Sequence, residues 1–463
     1  MKSLSFFLFF FFIIFSSSHP QLCYSHSNSV KNRITRLPGF DGELPFRLET
    51  GYVPINEESG AEFFYYFVES ERNPKEDPII LWLTGGPGCS GFIGLAVHMG
   101  PLNIQTDNFD GNLPALVINP HSWTKLASMI FLDWPVGTGF SFSRTNEDYF
   151  NEDNQAKKQI YTFLRKWFLD HPNFVSNPFY MGGESYGGKM APLVSHEIVE
   201  GNEQGINPQI NFKGYLIGNP STVQTLDKNY VVPHAFGLGI IPEELYKAIQ
   251  TNCVSEDYQK PNKAICAAHL QVFNKFVSEI NSFGILEPVC SDEPPTSLVG
   301  VSKLHRSLEE TTDISCITPD LLANYWANNH ITRNYLKIKT GKVGRWHRCN
   351  FNFATFNYNR SIPSSVPYHK NLTTKGYRAL VYSGDHDLRI PYLGTLEWIK
   401  SLGFLVLDPW RSWHSGGQVA GYTMAFANNL TFATIKGGNH LAVTNRPMQG
   451  FDMFERWISQ RAL

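Results

Sequence analysis

Residues 183–187 read Gly-Glu-Ser-Tyr-Gly, a serine with glycine two places away on either side. An apolar run at 179–181 precedes the string, and residues 190–199 have the composition of a helix. A serine at the tip of a tight strand-to-helix turn holds its hydroxyl clear of the backbone. The chain on both sides then crowds itself, so small neighbours are needed. The string therefore asks for a strand that ends, and a helix that begins, close to residue 185. Pro192 falls inside that helix. Without an N–H of its own, it predicts a kink or a restart there.

The wider pattern agrees with a layered α/β chain. Apolar runs at 79–83 and 129–132 are followed by Gly85-Gly86-Pro87-Gly88 and by Asp133-Trp134-Pro135. Residues 155–169 have helical spacing and stop before His171-Pro172, where proline disfavours continuation. Runs at 215–217, 379–382 and 431–435 read as further buried strands bounded by glycine. Between about 225 and 350 such runs vanish, and helix-like segments alternate with Pro- and Asn-rich turns. Cys253, Cys266, Cys290 and Cys316 fall in that span. We expect a helical, disulfide-stapled insertion at 225–350 between two parts of one core, 26–224 and 351–463. Residues 291–310, with Pro294-Pro295, read as an exposed loop.

A serine nucleophile needs a base, and the base needs a carboxylate to orient it. In α/β-hydrolases the chain order is Ser, then Asp or Glu, then His, each on a loop after a strand. Ser383-Gly384-Asp385-His386-Asp387 follows the 379–382 run, and Gly437-Gly438-Asn439-His440 follows the 431–435 run. His440 is thereby singled out among 15 histidines, while Asp385 and Asp387 both remain open as its partner. The oxyanion of a tetrahedral intermediate needs N–H donors, one of them from the residue after the nucleophile, Tyr186. A second would come from the 85–88 loop. A phosphate-binding reading of that loop fails, since no G-K-[ST] follows and Pro87 removes a donor.

Composition narrows the setting. The formal net charge is −2 and no dense run of Lys and Arg occurs, which argues against a nucleic-acid partner. Residues 4–15 are apolar except for Ser5, after Lys2. At about twelve residues the run is too short to cross a bilayer and suits a signal peptide, cleaved near residues 16–25. Removing it leaves no membrane segment and, if Cys23 departs too, six cysteines in an oxidising compartment; six allow fifteen pairings. Sequons at Asn359, Asn371 and Asn429 agree with secretory entry, ending in the vacuole or outside the cell. No metal-ligand motif such as H-E-x-x-H stands out, and the chemistry needs no cofactor.

Taken in order, the motifs closely resemble a known family. Trp82-Leu83-Thr84-Gly85-Gly86-Pro87-Gly88-Cys89-Ser90, Asp133-Trp134-Pro135-Val136-Gly137-Thr138-Gly139-Phe140-Ser141, the 183–187 string and the two later loops look like the signatures of serine carboxypeptidase-like proteins. The likeness runs from about 36 to 460. Leu37-Pro38-Gly39-Phe40, Phe64-Tyr65-Tyr66-Phe67 and Gly417-Gln418-Val419-Ala420-Gly421-Tyr422 resemble the plant acyltransferase branch.

The resemblance implies an α/β-hydrolase fold, with a central, mostly parallel sheet and the helical insertion. It implies a triad of Ser185, Asp387 and His440 and oxyanion donors at Gly86 and Tyr186. Implied disulfides are Cys89–Cys349, Cys253–Cys266 and Cys290–Cys316, and some relatives are cut between the last pair. Family carboxypeptidases hold a peptide's terminal carboxylate through a network that matches Trp82, Thr84, His98 and Glu184 here. The usual second and third members are Asn and Glu, so this chain departs twice. The expected activity is transfer of an acyl group from a 1-O-acyl-glucose donor to a hydroxyl acceptor through an acyl-enzyme. A carboxypeptidase is the alternative, and a non-catalytic binding protein a second.

Overall fold

The computed structural model describes residues 30–107, 109, 111–290, 317–351 and 357–463. The expected signal peptide, the 291–310 loop and Cys316 lie outside them. Eleven strands form one sheet. In chain order they are β1 (Val30–Ile34), β2 (Leu48–Asn56), β3 (Ala61–Val68), β4 (Ile79–Leu83), β5 (Ser128–Leu132) and β6 (Phe179–Glu184). The remainder are β7 (Phe212–Gly218), β8 (Arg378–Gly384), β9 (Val406–Ser415), β10 (Gln418–Phe426) and β11 (Leu430–Ile435). Their order across the sheet is β1-β2-β3-β5-β4-β6-β7-β8-β11-β10-β9.

The six central strands, β5 to β11 in that order, are joined by parallel ladders. They are the apolar runs legible in the sequence, and the reason is burial on both faces. In β4, Ile80 and Trp82 enter one hydrophobic cluster, while Ile79, Leu81 and Leu83 enter the other. Helices cover both sides. Asp153–Asp170 and Tyr186–Glu203 pack Trp167 and Met190 against one face, and Pro447–Ile458 sets Phe454 and Trp457 on the other. The outer strands pair antiparallel, with β1 to β3 on one edge and the β9–β10 hairpin on the other.

Between residues 225 and 350 the described segments contain helices and no strand. Val231–Gly237, Glu243–Asn252 and Ala264–Val277 bury a small cluster of their own, which includes the disulfide Cys253–Cys266. Pro319–Asn328 behaves differently: its Trp326 stacks on Phe92 at 4.6 Å within one of the sheet's clusters. The helix Tyr186–Glu203 runs unbroken through Pro192, without the expected restart. Proline there removes a single bond, the one to the Gly188 carbonyl, and the packed helix tolerates it.

Two buried carboxylates tie loops to this frame. Asp133, just after β5, accepts from Ser90 Oγ at 2.6 Å and from the N–H groups of Gly91 and Phe140 at 2.8 Å each. Burial pushes its pKa up to about 7. Asp227, in the helix Gln224–Asn229, accepts from Ser221 Oγ at 3.0 Å and Thr222 N–H at 3.1 Å, and burial raises it to about 6. A carboxyl raised on folding stabilises the folded chain below its unfolded pKa, and that contribution is lost as pH climbs through the folded value. Replacing Asp227 with Asn removes the effect. Relative to wild type, Asp227→Asn should therefore melt higher at pH 7.5 than at pH 5, by roughly 2 °C in paired calorimetric scans.

Candidate active site

β4, β6, β8 and β11 end at the same edge of the sheet, and the loops beyond them meet over a cavity of about 440 Å³. Ser185 follows β6 directly with φ 55° and ψ −120°, a conformation that L-residues rarely adopt. Such strain amounts to about 1–3 kcal/mol and persists only where neighbours over-determine it. Here they do. A Cβ on Gly187 would fall 1.9 Å from the Leu83 carbonyl oxygen, and one on Gly183 would fall 2.5 Å from Gly187. The Ser185 N–H also donates to the Gly218 carbonyl at 3.0 Å.

The histidine and one of the two candidate aspartates meet. His440 Nδ1 lies 2.7 Å from Asp387 Oδ2, with both side chains buried. Asp387 is held in place by three further bonds: from Asn219 Nδ2 at 2.7 Å, Arg389 N–H at 2.6 Å and Ile390 N–H at 3.1 Å. Asp385 turns elsewhere, to His386 Nδ1 at 2.7 Å and the Gly437 N–H at 2.7 Å. His440 Nε2 is buried without a hydrogen-bond partner. Phe283 packs edge-on against the imidazole at 5.1 Å, and its carbonyl accepts from the His440 N–H at 2.6 Å. Ser185 and His440 line the same cavity.

Gly86, at φ 108°, and Tyr186 line that cavity beside the serine. Tyr186 opens its helix, so its N–H has no acceptor one turn back within that helix. The Gly86 loop is fixed from two sides. Asp133 holds its far end, and the disulfide Cys89–Cys349 binds it to a segment 260 residues away. The Ser90 N–H donates to the Arg348 carbonyl at 2.9 Å, and the Asn350 N–H to the Gly88 carbonyl at 2.8 Å, alongside that bridge.

Thr84, His98 and Glu184 form one corner of the cavity, while Trp82 stands behind it, edge-on to Trp123 at 5.5 Å. His98 Nδ1 approaches Glu184 Oε1 to 2.9 Å, out of line for a straight hydrogen bond. Thr84 Oγ1, both His98 nitrogens and Trp82 Nε1 are buried without hydrogen-bond partners. A buried polar group left so costs on the order of 1–3 kcal/mol, and a polar substrate group would relieve it.

Of the expected sequons, Asn359 and Asn429 are exposed, whereas Asn371 is half-buried in the helix Val366–Thr374. Asn429 Nδ2 donates to the Gly376 carbonyl at 3.0 Å. Cys316, the implied partner of Cys290, is outside the described residues. Among the described residues no helix is long and apolar enough to cross a membrane. Sequence reasoning missed Asn219, whose contact with Asp387 spans 168 positions. The available signal was Gly218-Asn219-Pro220, a polar residue at the end of a buried strand beside the serine's own.

Comparisons with known proteins agree with this geometry. The serine carboxypeptidase profile matches residues 38–460. Serine carboxypeptidase-like 2 of Arabidopsis thaliana is 46% identical over 428 residues, 92% of each chain. Serine carboxypeptidase-like 1 of the same plant is 45% identical over 431 residues, 93% of each chain. Among solved structures, Kex1Δp, a prohormone-processing carboxypeptidase from Saccharomyces cerevisiae, shares the fold with a TM-score of 0.72. That match is at 20% identity, over 92% of this chain and 95% of the other. With its strained serine, its buried His–Asp pair and this extended likeness, the chain belongs to the serine carboxypeptidase family.

Proposed function

We propose that the protein is an acyltransferase that uses a 1-O-acyl-glucose as donor and a hydroxyl compound as acceptor. The observation that carries this reading is the Thr84–His98–Glu184 corner. A peptide's terminal carboxylate needs several well-aimed donors there. This corner offers one short hydroxyl and an imidazole already drawn to Glu184 at 2.9 Å. The two departures, Thr84 and His98, fall in the part of the network that would receive the carboxylate, and a neutral sugar or ester does not depend on those donors.

In this reading Ser185 Oγ gives its proton to His440 Nε2 and attacks the ester carbonyl of the donor. Asp387 holds the imidazole through Nδ1 and stabilises the imidazolium that forms. The N–H groups of Gly86 and Tyr186 receive the oxyanion. The bond to the anomeric oxygen breaks, the proton on His440 passes to that oxygen, and glucose leaves. An acceptor hydroxyl then attacks the serine ester, losing its proton to His440 in turn. Transfer prevails over hydrolysis because a positioned acceptor competes at high effective concentration with water. No cofactor enters these steps. Two disulfides suit an oxidising compartment, and we place the protein in the secretory pathway, with the vacuole or the cell exterior as its destination.

The glycosylated protein, incubated with a panel of acyl-glucoses with and without alcohols, should form acceptor-dependent esters detectable by mass spectrometry. Ser185→Ala should lose at least about 10³-fold in rate. Free acid alone, beside cleavage of a blocked dipeptide, would make the protein a carboxypeptidase; no reaction and no fluorophosphonate labelling of Ser185 would make it a binding protein. Asn219→Ala removes one of the bonds that aim Asp387. It should lower kcat by roughly 10- to 100-fold with little change in KM, measured on the best donor.

A further inference from the structure

The insertion reaches the histidine of the triad through one short segment. Residues 281–287 lie against both triad loops: the Leu388 N–H donates to the Ser282 carbonyl at 3.1 Å, and the His440 N–H to that of Phe283 at 2.6 Å. Asn281 shapes the segment. Its Oδ1 accepts from the Phe283 N–H at 3.0 Å, and its Nδ2 donates to the Pro288 carbonyl at 3.0 Å. Gly284 is buried between the segment and the histidine loop. A Cβ there would strike the Glu287 carboxylate and fall 2.8 Å from Asn439 Cβ.

Glu287 closes a ring of hydrogen bonds around the backbone of His440. Its Oε1 accepts from Asn439 Nδ2 at 3.1 Å and from Asn445 Nδ2 at 3.0 Å. Asn439 Oδ1 accepts from the Leu441 N–H at 2.8 Å, and Asn445 Oδ1 from the Asn439 N–H at 3.1 Å. These backbone donors fix which way each amide faces, because only its oxygen can accept. Both Nδ2 groups are then left aimed at one point, and a carboxylate oxygen occupies it. Residues 439 and 441 flank His440, so the ring sets where its backbone sits, while Asp387 sets the direction of Nδ1. Place and direction together decide whether Nε2 can meet Ser185.

We propose that Glu287 is a positioning residue for catalysis: from the insertion, through Asn439 and Asn445, it holds the backbone that carries the base His440. The inference rests on the Ser185–His440 chemistry of the reading above, and holds whether the acyl group passes to an alcohol or to water. Among the described residues, Glu287, Asn439 and Asn445 are not in the cavity lining, so their loss leaves the substrate's contacts in place.

The rate constant for fluorophosphonate labelling of Ser185 tests this with neither donor nor acceptor present. Glu287→Ala should slow it by about tenfold or more, as expected for a base displaced by a fraction of an ångström to an ångström. Glu287→Gln keeps an Oε1 acceptor for both amides and should restore most of the wild-type rate. Leu286→Ala, which alters an exposed neighbour, should label at the wild-type rate. The rate constant is read from folded molecules alone, so unfolded protein lowers the amount labelled and not the rate. On the best acyl-glucose, Glu287→Ala should lower kcat by a similar factor and leave KM nearly unchanged. The double variant Glu287→Ala with Asn445→Ala should be no slower than the slower single one, since both open the same ring. Equal labelling of wild type and Glu287→Ala would overturn the proposal, as would a Glu287→Gln as slow as Glu287→Ala. A wild type that labels yet only hydrolyses acyl-glucose would refute the transferase and leave the role of Glu287 standing. One whose serine never labels would overturn both.

Discussion

The contact between the Leu83 carbonyl and the backbone of Gly187 leaves no room for a side chain. Because β4 and β6 are paired along their length, the loop after one must run against the turn after the other. A Cβ on Gly85 would lie 2.6 Å from that of Ser185, so the loop carrying Gly86 and the serine share one interface. The unfavourable φ of Ser185 is held by sheet ladders on both flanks, and the strain is distributed over a rigid core. Loosening either strand would release the serine and the Gly86 loop together.

Carboxylates divide the remaining labour by their surroundings. Asp387 accepts four bonds in a buried setting, and the three from Asn219, Arg389 and Ile390 fix the direction from which it accepts the fourth, from His440. Asp385, two residues away, bonds to its neighbour His386 and to Gly437 and serves the loop. Asp133 and Asp153 anchor loops from within. Asp153 accepts from the hydroxyls of Tyr186 at 2.7 Å and Tyr358 at 2.9 Å and from the Ile362 N–H at 2.9 Å. The same residue thus joins the start of the helix after Ser185 to the segment that carries Arg360.

The parts of the fold that were legible in the sequence are those whose signal is local. Residues 79–83 form β4 as read, since a strand buried on both faces must be apolar throughout. The serine turn and the two later loops carry their glycines with them. The edge strands were harder. Aromatic residues 64–67 of β3 read as a motif and not as a strand, and the 406–426 hairpin mixes polar and apolar residues on its exposed flank. Asn219 escaped because its role exists only across the sheet, where β7 lies beside β8. Choosing Asp387 over Asp385 likewise needed either a family resemblance or the side-chain directions themselves.

The disulfide Cys89–Cys349 has a consequence in time. The walls of the cavity come from chain segments made far apart: the Gly86 loop early, Ser185 next, Arg348 and Cys349 later, Asp387 and His440 last. During synthesis Ser185 is made before Asp387 and His440, and the Gly86 loop is held only from the Asp133 side until Cys349 has been added and oxidised. A chain still being made therefore holds Ser185 without the Asp387–His440 pair and without the wall that Cys349 brings to the Gly86 loop, and the cavity exists only once these later segments are in place.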